Sequence, residues 1–240
     1  MNLQNLPSYA LVLFLLIGTF SCQSKNDNSN NRQLPPLEND GTGIKEPGKP
    51  QSRAVGLKED YVHTDRVIWQ KPELVIDLLD DLSNKTVADI GAGTGFFAFR
   101  MVPKAKKVIA IDIDPRFISY LDSVKVLELP ENYQDRLETR AATADDPNLR
   151  ANEVDVVVIV NTFMYIKKPV EYLKNLRQGI ADGGKVLIVD FKKKRTPIGP
   201  PSEYRIPLFQ VEEQLYEAGY KNIEAKDTFL DYQYIIIAEK

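Results

Sequence analysis

From residue 72 onward, apolar positions follow two alternating spacings. Short, nearly continuous apolar runs at 86–90, 107–112, 137–142, 154–160 and 185–191 predict β-strands. Between them, apolar residues recur at helical spacing. This predicts helices over Pro72 to Leu82, Gly95 to Val102, Pro115 to Leu129, Val170 to Ile180 and Pro207 to Ala218. Pro72 and Pro115 suit first helical turns. Asp182-Gly183-Gly184 and Gly219 supply stop signals after the last two helices. The run Val154 to Val160 (VDVVVIV) is β-branched almost throughout, which suits a central strand buried on both faces. Two late runs, Ile223 to Leu230 and Tyr232 to Ala238, have no helix between them, so one must run antiparallel to the other around Asp231. The expected fold class is α/β, a doubly wound seven-stranded and mostly parallel sheet with a C-terminal antiparallel hairpin.

The first 56 residues break this pattern. Tyr9 to Gly18 is an apolar run of ten, too short for a comfortable membrane span and suited to a signal-peptide core. Thr19-Phe20-Ser21-Cys22 follows. A small residue and then cysteine behind such a run resembles a bacterial lipoprotein signal, in which the cysteine becomes the lipidated first residue. The chain departs from that pattern in having no Lys or Arg in residues 2–8. Residues 1–21 are thus read as a lipoprotein-type signal, Cys22 as the lipidation site, and 22–56 as a polar tether with little to bury. Such a tether reaches roughly 30–35 Å. The anchor implies a domain facing the periplasm or the cell exterior; without it the domain is cytoplasmic.

Residues 57–240 leave enough chain for one domain with a sizeable core. The formal net charge is −3, which offers no global attraction for nucleic acid. A single cysteine and a single histidine exclude an internal disulfide and a multi-histidine metal site.

The chemistry concentrates in Val87-Ala88-Asp89-Ile90-Gly91-Ala92-Gly93-Thr94-Gly95-Phe96. Gly91, Gly93 and Gly95 form a turn between a strand and a helix start, a common cradle for a nucleotide-like ligand. Phe96 stands where a dinucleotide fingerprint would continue toward a third glycine. Asp89 precedes the turn. Asp112 ends the second strand, 21 residues after Gly91, where a carboxylate can accept both ribose hydroxyls. Asp114-Pro115 reads as a helix cap.

With these residues, the stretch from Trp69 to Lys240 resembles the class I S-adenosylmethionine-dependent methyltransferases, most strongly from Lys85 to Asp114. The resemblance implies S-adenosyl-L-methionine as cofactor, its methionine end near Asp89, Gly91, Ala92, Gly93 and Gly95, and its ribose on Asp112 beside Ile113. It places the adenine edge near Ala144 and Asp145, although related sequences carry an acid where this chain has Thr143. The alternative for Asp145 is a polar loop. Asn161, after the central strand, is expected to line the reactive end through its carbonyl oxygen.

The acceptor half is less legible. Tyr165 either touches substrate or packs, and Trp69 is either a lid residue or packing. The Asn-Pro-Pro-Tyr signature of amine-modifying relatives is not present at 161–164. No catalytic base stands out; His63 is a weak candidate. Lys192 to Arg195 is read as a solvated loop, with an anionic-ligand patch as the alternative. The expected function is methyl transfer by in-line displacement to an unidentified acceptor, a small molecule or a partner of unknown kind, with no metal and no nucleic acid. A non-catalytic nucleoside-binding module and an NAD(P)-dependent oxidoreductase are the rivals.

Overall fold

The computed structural model describes residues 65–240. The predicted signal, Cys22, the tether and His63 lie outside the described residues. Seven strands form one sheet: β1 (Thr86–Ile90), β2 (Lys107–Asp112), β3 (Leu137–Ala141), β4 (Val154–Val160), β5 (Ile180–Phe191), β6 (Lys221–Lys226) and β7 (Gln233–Glu239). Their spatial order is β3-β2-β1-β4-β5-β7-β6. The pairs β1–β2, β1–β4, β2–β3 and β4–β5 are parallel. β7 runs antiparallel to both β5 and β6. The expected fold is therefore observed, the late hairpin included.

The helices are α1 (Arg66–Gln70), α2 (Pro72–Asp77), α3 (Ala98–Met101), α4 (Pro115–Glu128), α5 (Glu131–Gln134), α6 (Pro169–Gly179) and α7 (Leu208–Glu217). Two apolar layers result. On one face of the sheet, Val156, Val158 and Val160 of β4 join Ile76, Ala98, Met101 and Leu121 from α2, α3 and α4. On the other, Val157 and Ile159 join Leu173, Leu176, Val211 and Leu215 from α6 and α7. Both faces of β4 are covered, which is why its sequence is apolar without alternation.

Four elements differ from expectation, one being β6, which ends at Lys226 rather than Leu230. α2 stops at Asp77, because Asp80 turns left-handed (φ 62°), although Leu79 and Leu82 remain buried. α3 begins only at Ala98, because Gly93 and Gly95 hold positive φ (55° and 83°) that no right-handed helix accepts. β5 begins at Ile180, five residues early, through an irregular pairing between Val154 and Val156. The short helix α1, unforeseen in the sequence, is joined to α2 by Lys71 in the left-handed region (φ 46°).

One ion cluster fixes the far edge. Arg140 of β3 donates to both carboxylate oxygens of Glu153 at 2.8 Å and also pairs with Glu138. Glu153 and Arg140 are 13% and 12% exposed. Hydrogen bonds from Arg140 hold the Glu153 carboxyl at about 2, below its ordinary 4.5. The folded state thus favours the ionised form. Its stabilisation is present above the unfolded value and is lost as pH falls from about 4.5 through 2. Glu153→Gln is expected to cost about 1–3 kcal/mol near neutrality. Urea unfolding should show the gap closing toward pH 2.

Candidate functional site

The chain runs outward from β1 through β2 to β3 in one direction and resumes at β4 on the other side. At such a switch point the C-terminal strand ends diverge and open a crevice. A cleft of about 400 Å³ lies there. Its wall is built from the turn 90–94, the β2 end at 111–114, the loop 142–144, the β4 end at 160–162, Tyr165, and Arg66 of α1.

The glycine turn is pinned to β2. Asp112 is 7% exposed and accepts from the Gly93 amide at 2.9 Å and from the Asp114 amide at 2.9 Å. Gly93 is the glycine that meets the cleft: a side chain there would find no protein atom within 4 Å. Gly91 serves packing as well, since a Cβ would strike Thr162 Oγ1 at 2.3 Å. Gly95 is absent from the wall and faces Phe99 and Leu121. The late start of α3 removes the expected long helix behind the turn, and the amides of Gly91, Ala92, Gly93 and Gly95 are engaged by Ile111, Asp112 and Ala92.

The nucleoside end suits a flat, partly apolar ligand with hydroxyls. Each Asp112 oxygen accepts one amide and keeps lone-pair capacity for a hydroxyl. Ile113 is 64% exposed on the wall, an apolar platform beside Ala142 and Ala144. These features fit the ribose and adenine of S-adenosylmethionine. Asp114 caps α4 as expected, accepting from the Arg116 amide at 2.9 Å. Asp145 is exposed and off the wall, whereas Thr143 lines it. Thr143 and Asp146 bond to each other across a turn.

Asp89 is buried behind the turn rather than on the wall, and its Oδ2 has no hydrogen-bond partner. Burial pushes its carboxyl up to about 7, against the pull of Arg66 and the Ala98 amide. Burial likewise draws Arg66 down to about 10. Phe96 explains itself here. Its ring centre lies 4.1 Å from the Arg66 guanidinium and 4.0 Å from that of Arg100, a pair of cation–π contacts that a glycine could not make.

Arg66 also starts a polar relay. Its Nε donates to Gln70 Oε1. Gln70 Nε2 donates to Gln233 Oε1 at 3.0 Å, and Gln233 Nε2 donates to Asn161 Oδ1. Gln70 and Gln233 are both fully buried, so an unpaired amide there would cost about 1–3 kcal/mol. The expected Asn161 side-chain oxygen is therefore engaged by Gln233 rather than offered to the cleft.

On the acceptor side, Tyr165 is exposed on the wall, its ring 6.3 Å from that of Tyr204. Trp69 lies off the wall against Phe191, with ring centres 5.6 Å apart. Lys192 is drawn inward to Asp227 and to the Leu230 carbonyl, while 193–195 are exposed. The basic run is thus not uniformly solvated. Arg66, Thr143, Thr162 and the relay glutamines were not foreseen as site residues. Arg66 stands three residues before Trp69, the residue weighed as a lid, while Gln233 carries no local signal.

Residues 88–186 match the family model described as a methyltransferase domain. The match takes in β1 through the first part of β5, and the fold around it is shared with S-adenosylmethionine-dependent methyltransferases. A crystal structure of a SAM-dependent methyltransferase from Aquifex aeolicus superposes with a TM-score of 0.69 at 23% identity, covering 78% of this chain and 98% of that one. The [4+2]-cyclase SpnF shares the fold with a TM-score of 0.61 at 15% identity, covering 75% and 83%. Among curated proteins, the tRNA U34 carboxymethyltransferase of Shewanella putrefaciens (strain CN-32 / ATCC BAA-453) is 30% identical over 131 residues, 53% of this chain. The chain spans 38% of that relative's length. That name specifies tRNA, which pulls against the expectation of an acceptor other than nucleic acid.

Ionisation of buried Asp89 disfavours the folded state, so wild-type stability should fall as pH rises from about 4 to about 7 and level off above. In Asp89→Asn the fall should shrink by the share of Asp89, leaving the part due to buried Asp190, whose carboxyl burial also pushes up. Paired urea titrations across this range measure the difference between the two proteins.

Proposed function

We propose that the domain transfers a methyl group from S-adenosylmethionine to a small-molecule acceptor entering beside Tyr165. The observation that carries this reading is the Asp112 carboxylate, fixed by the Gly93 and Asp114 amides on the wall of a switch-point cleft. Asp112 would hold the ribose hydroxyls, Ile113 and the 142–144 loop the adenine, and the open Gly93 backbone the methionine end. Bound there, S-adenosylmethionine would supply a methyl group to an in-line lone pair while its sulfur keeps the electrons of the broken bond. A net charge of −3 supports an acceptor other than nucleic acid. The shared fold of SpnF keeps a second reading open, a cofactor-binding domain that carries out no methyl transfer.

We also propose that lipid at Cys22 holds the domain at a membrane, on the strength of the leader's sequence. Radiolabelled fatty acid should enter the wild type and not Cys22→Ser; equal labelling would exclude that anchor.

Calorimetry on the full chain should show S-adenosylhomocysteine binding, and Asp112→Ala should weaken it at least tenfold, about 1.4 kcal/mol. No heat at about 1 mM ligand would remove the cofactor reading. Release of S-adenosylhomocysteine from S-adenosylmethionine with metabolite extract, but not with bulk tRNA, separates methyl transfer to a small acceptor from both the tRNA reaction and the silent-module reading.

A further inference from the structure

The relay from Arg66 to Asn161 has a direction that chemistry dictates. A guanidinium only donates. Gln70 must therefore turn its oxygen toward Arg66 and its NH2 toward Gln233. Gln233 must then accept with its oxygen and donate with its NH2 to the Asn161 oxygen. Neither glutamine can flip without leaving two mismatched pairs in a buried layer. The polarity set at Arg66 thus reaches the end of β4 across residues 163 and 72 positions apart in sequence.

Asn161 receives the last bond and lines the cleft. It follows β4 in the left-handed region (φ 57°), and its own backbone amide is spent on the Val189 carbonyl at 2.9 Å. Its side-chain Nδ2 has no acceptor among the described residues and is not sealed from solvent. The group left to meet a ligand is an NH2 with two donors. Arg66 adds positive charge to the same wall.

Resting on the cofactor reading above, we propose that Asn161 Nδ2 is the acceptor-selecting group of the cleft, and that Gln70 and Gln233 are positioning residues that hold it donor-outward. The acceptor then presents an oxygen lone pair, as a carboxylate or phenolate does, at the end of β4. An ammonium or N–H group would there meet the Asn161 donors and the positive charge of Arg66. This distinguishes the site from one built to receive amines, which requires an oxygen at this place.

Two isosteric variants test the polarity. Asn161→Asp still accepts from Gln233 but turns an oxygen to the cleft. Gln233→Glu still accepts from Gln70 yet cannot donate, so Asn161 must rotate its NH2 toward the new carboxylate and its oxygen outward. The probes are benzoate and benzylamine, matched in ring and opposite in polarity, titrated into the full chain loaded with S-adenosylhomocysteine. Side-chain amide NMR reports contact, the Asn161 signal being the one missing in Asn161→Asp.

Benzoate should shift the wild-type Asn161 NH2 signal and bind at least tenfold tighter than benzylamine. Both variants should reverse that preference while retaining S-adenosylhomocysteine. A purely structural role for the relay would weaken both probes together, leave the ratio unmoved and overturn the proposal. Equal or tighter benzylamine binding to the wild type overturns it too, as does an Asn161 signal that neither probe moves. Failure of S-adenosylhomocysteine to bind the wild type overturns the cofactor reading and this inference with it; retained binding with the wrong preference overturns the inference alone.

Discussion

The hydrogen bond from the Gly93 amide to Asp112 ties the two halves of the cleft's nucleoside end together. β1 and β2 are already parallel neighbours, and their last residues, Ile90 and Ile111, stand in register. Parallel register alone leaves the segments beyond the strands free to diverge. The Asp112 carboxylate stops that divergence by accepting from Gly93 on one side and from Asp114 on the other. The amide of Asp114 orients the chain into its own capping of α4, so the same carboxylate also sets where that helix begins. A cleft edge made in this way is rigid without being filled. Gly93, left-handed and facing open space, is the point where the backbone itself can approach a ligand.

A second constraint crosses the sheet's end behind that edge. Burying Asp89 beneath the turn is unfavourable, which is why its carboxyl is pushed up to about 7. Arg66 offsets part of this cost, and its guanidinium packs on the Phe96 ring, which Arg100 also contacts. Arg66 in turn orders Gln70, which reaches Gln233 on β7 and so links α1 to the antiparallel strand. Helix α1 is only five residues long and could not hold its place by helix propensity. Side-chain hydrogen bonds and the Trp69–Phe191 contact fix it instead.

The sequence revealed the fold well because each strand's burial is written in its own residues. The β-branched run of β4 and the closing hairpin needed no distant information. Errors fell where a single backbone angle decides: Asp80 shortening α2, and Gly95 delaying α3. The nucleoside end of the cleft was also legible, since Gly91, Gly93, Asp112 and Ile113 all lie within one β1–turn–β2 segment. Asp145 was misplaced relative to Thr143 because spacing along a loop does not say which side chain turns inward. The relay was invisible for a different reason. Its buried glutamines are members of a network only through partners far away in the chain, and glutamine has no local signature for that role.

This difference in legibility follows from how the fold divides its labour. The cofactor half is built from consecutive residues at one strand–turn–strand corner, so a short motif can carry it. The acceptor half is assembled from α1, the β4 end and β7, and its polarity is passed from Arg66 through Gln70 and Gln233, which lie off the cleft wall. One architecture can carry different chemistries, and this fold is shared with both a methyltransferase and a [4+2]-cyclase. Specificity in such a site is then a property of hydrogen-bond direction as much as of shape. A buried obligate donor such as Arg66 is an economical way to set it, because every amide downstream has one satisfied orientation.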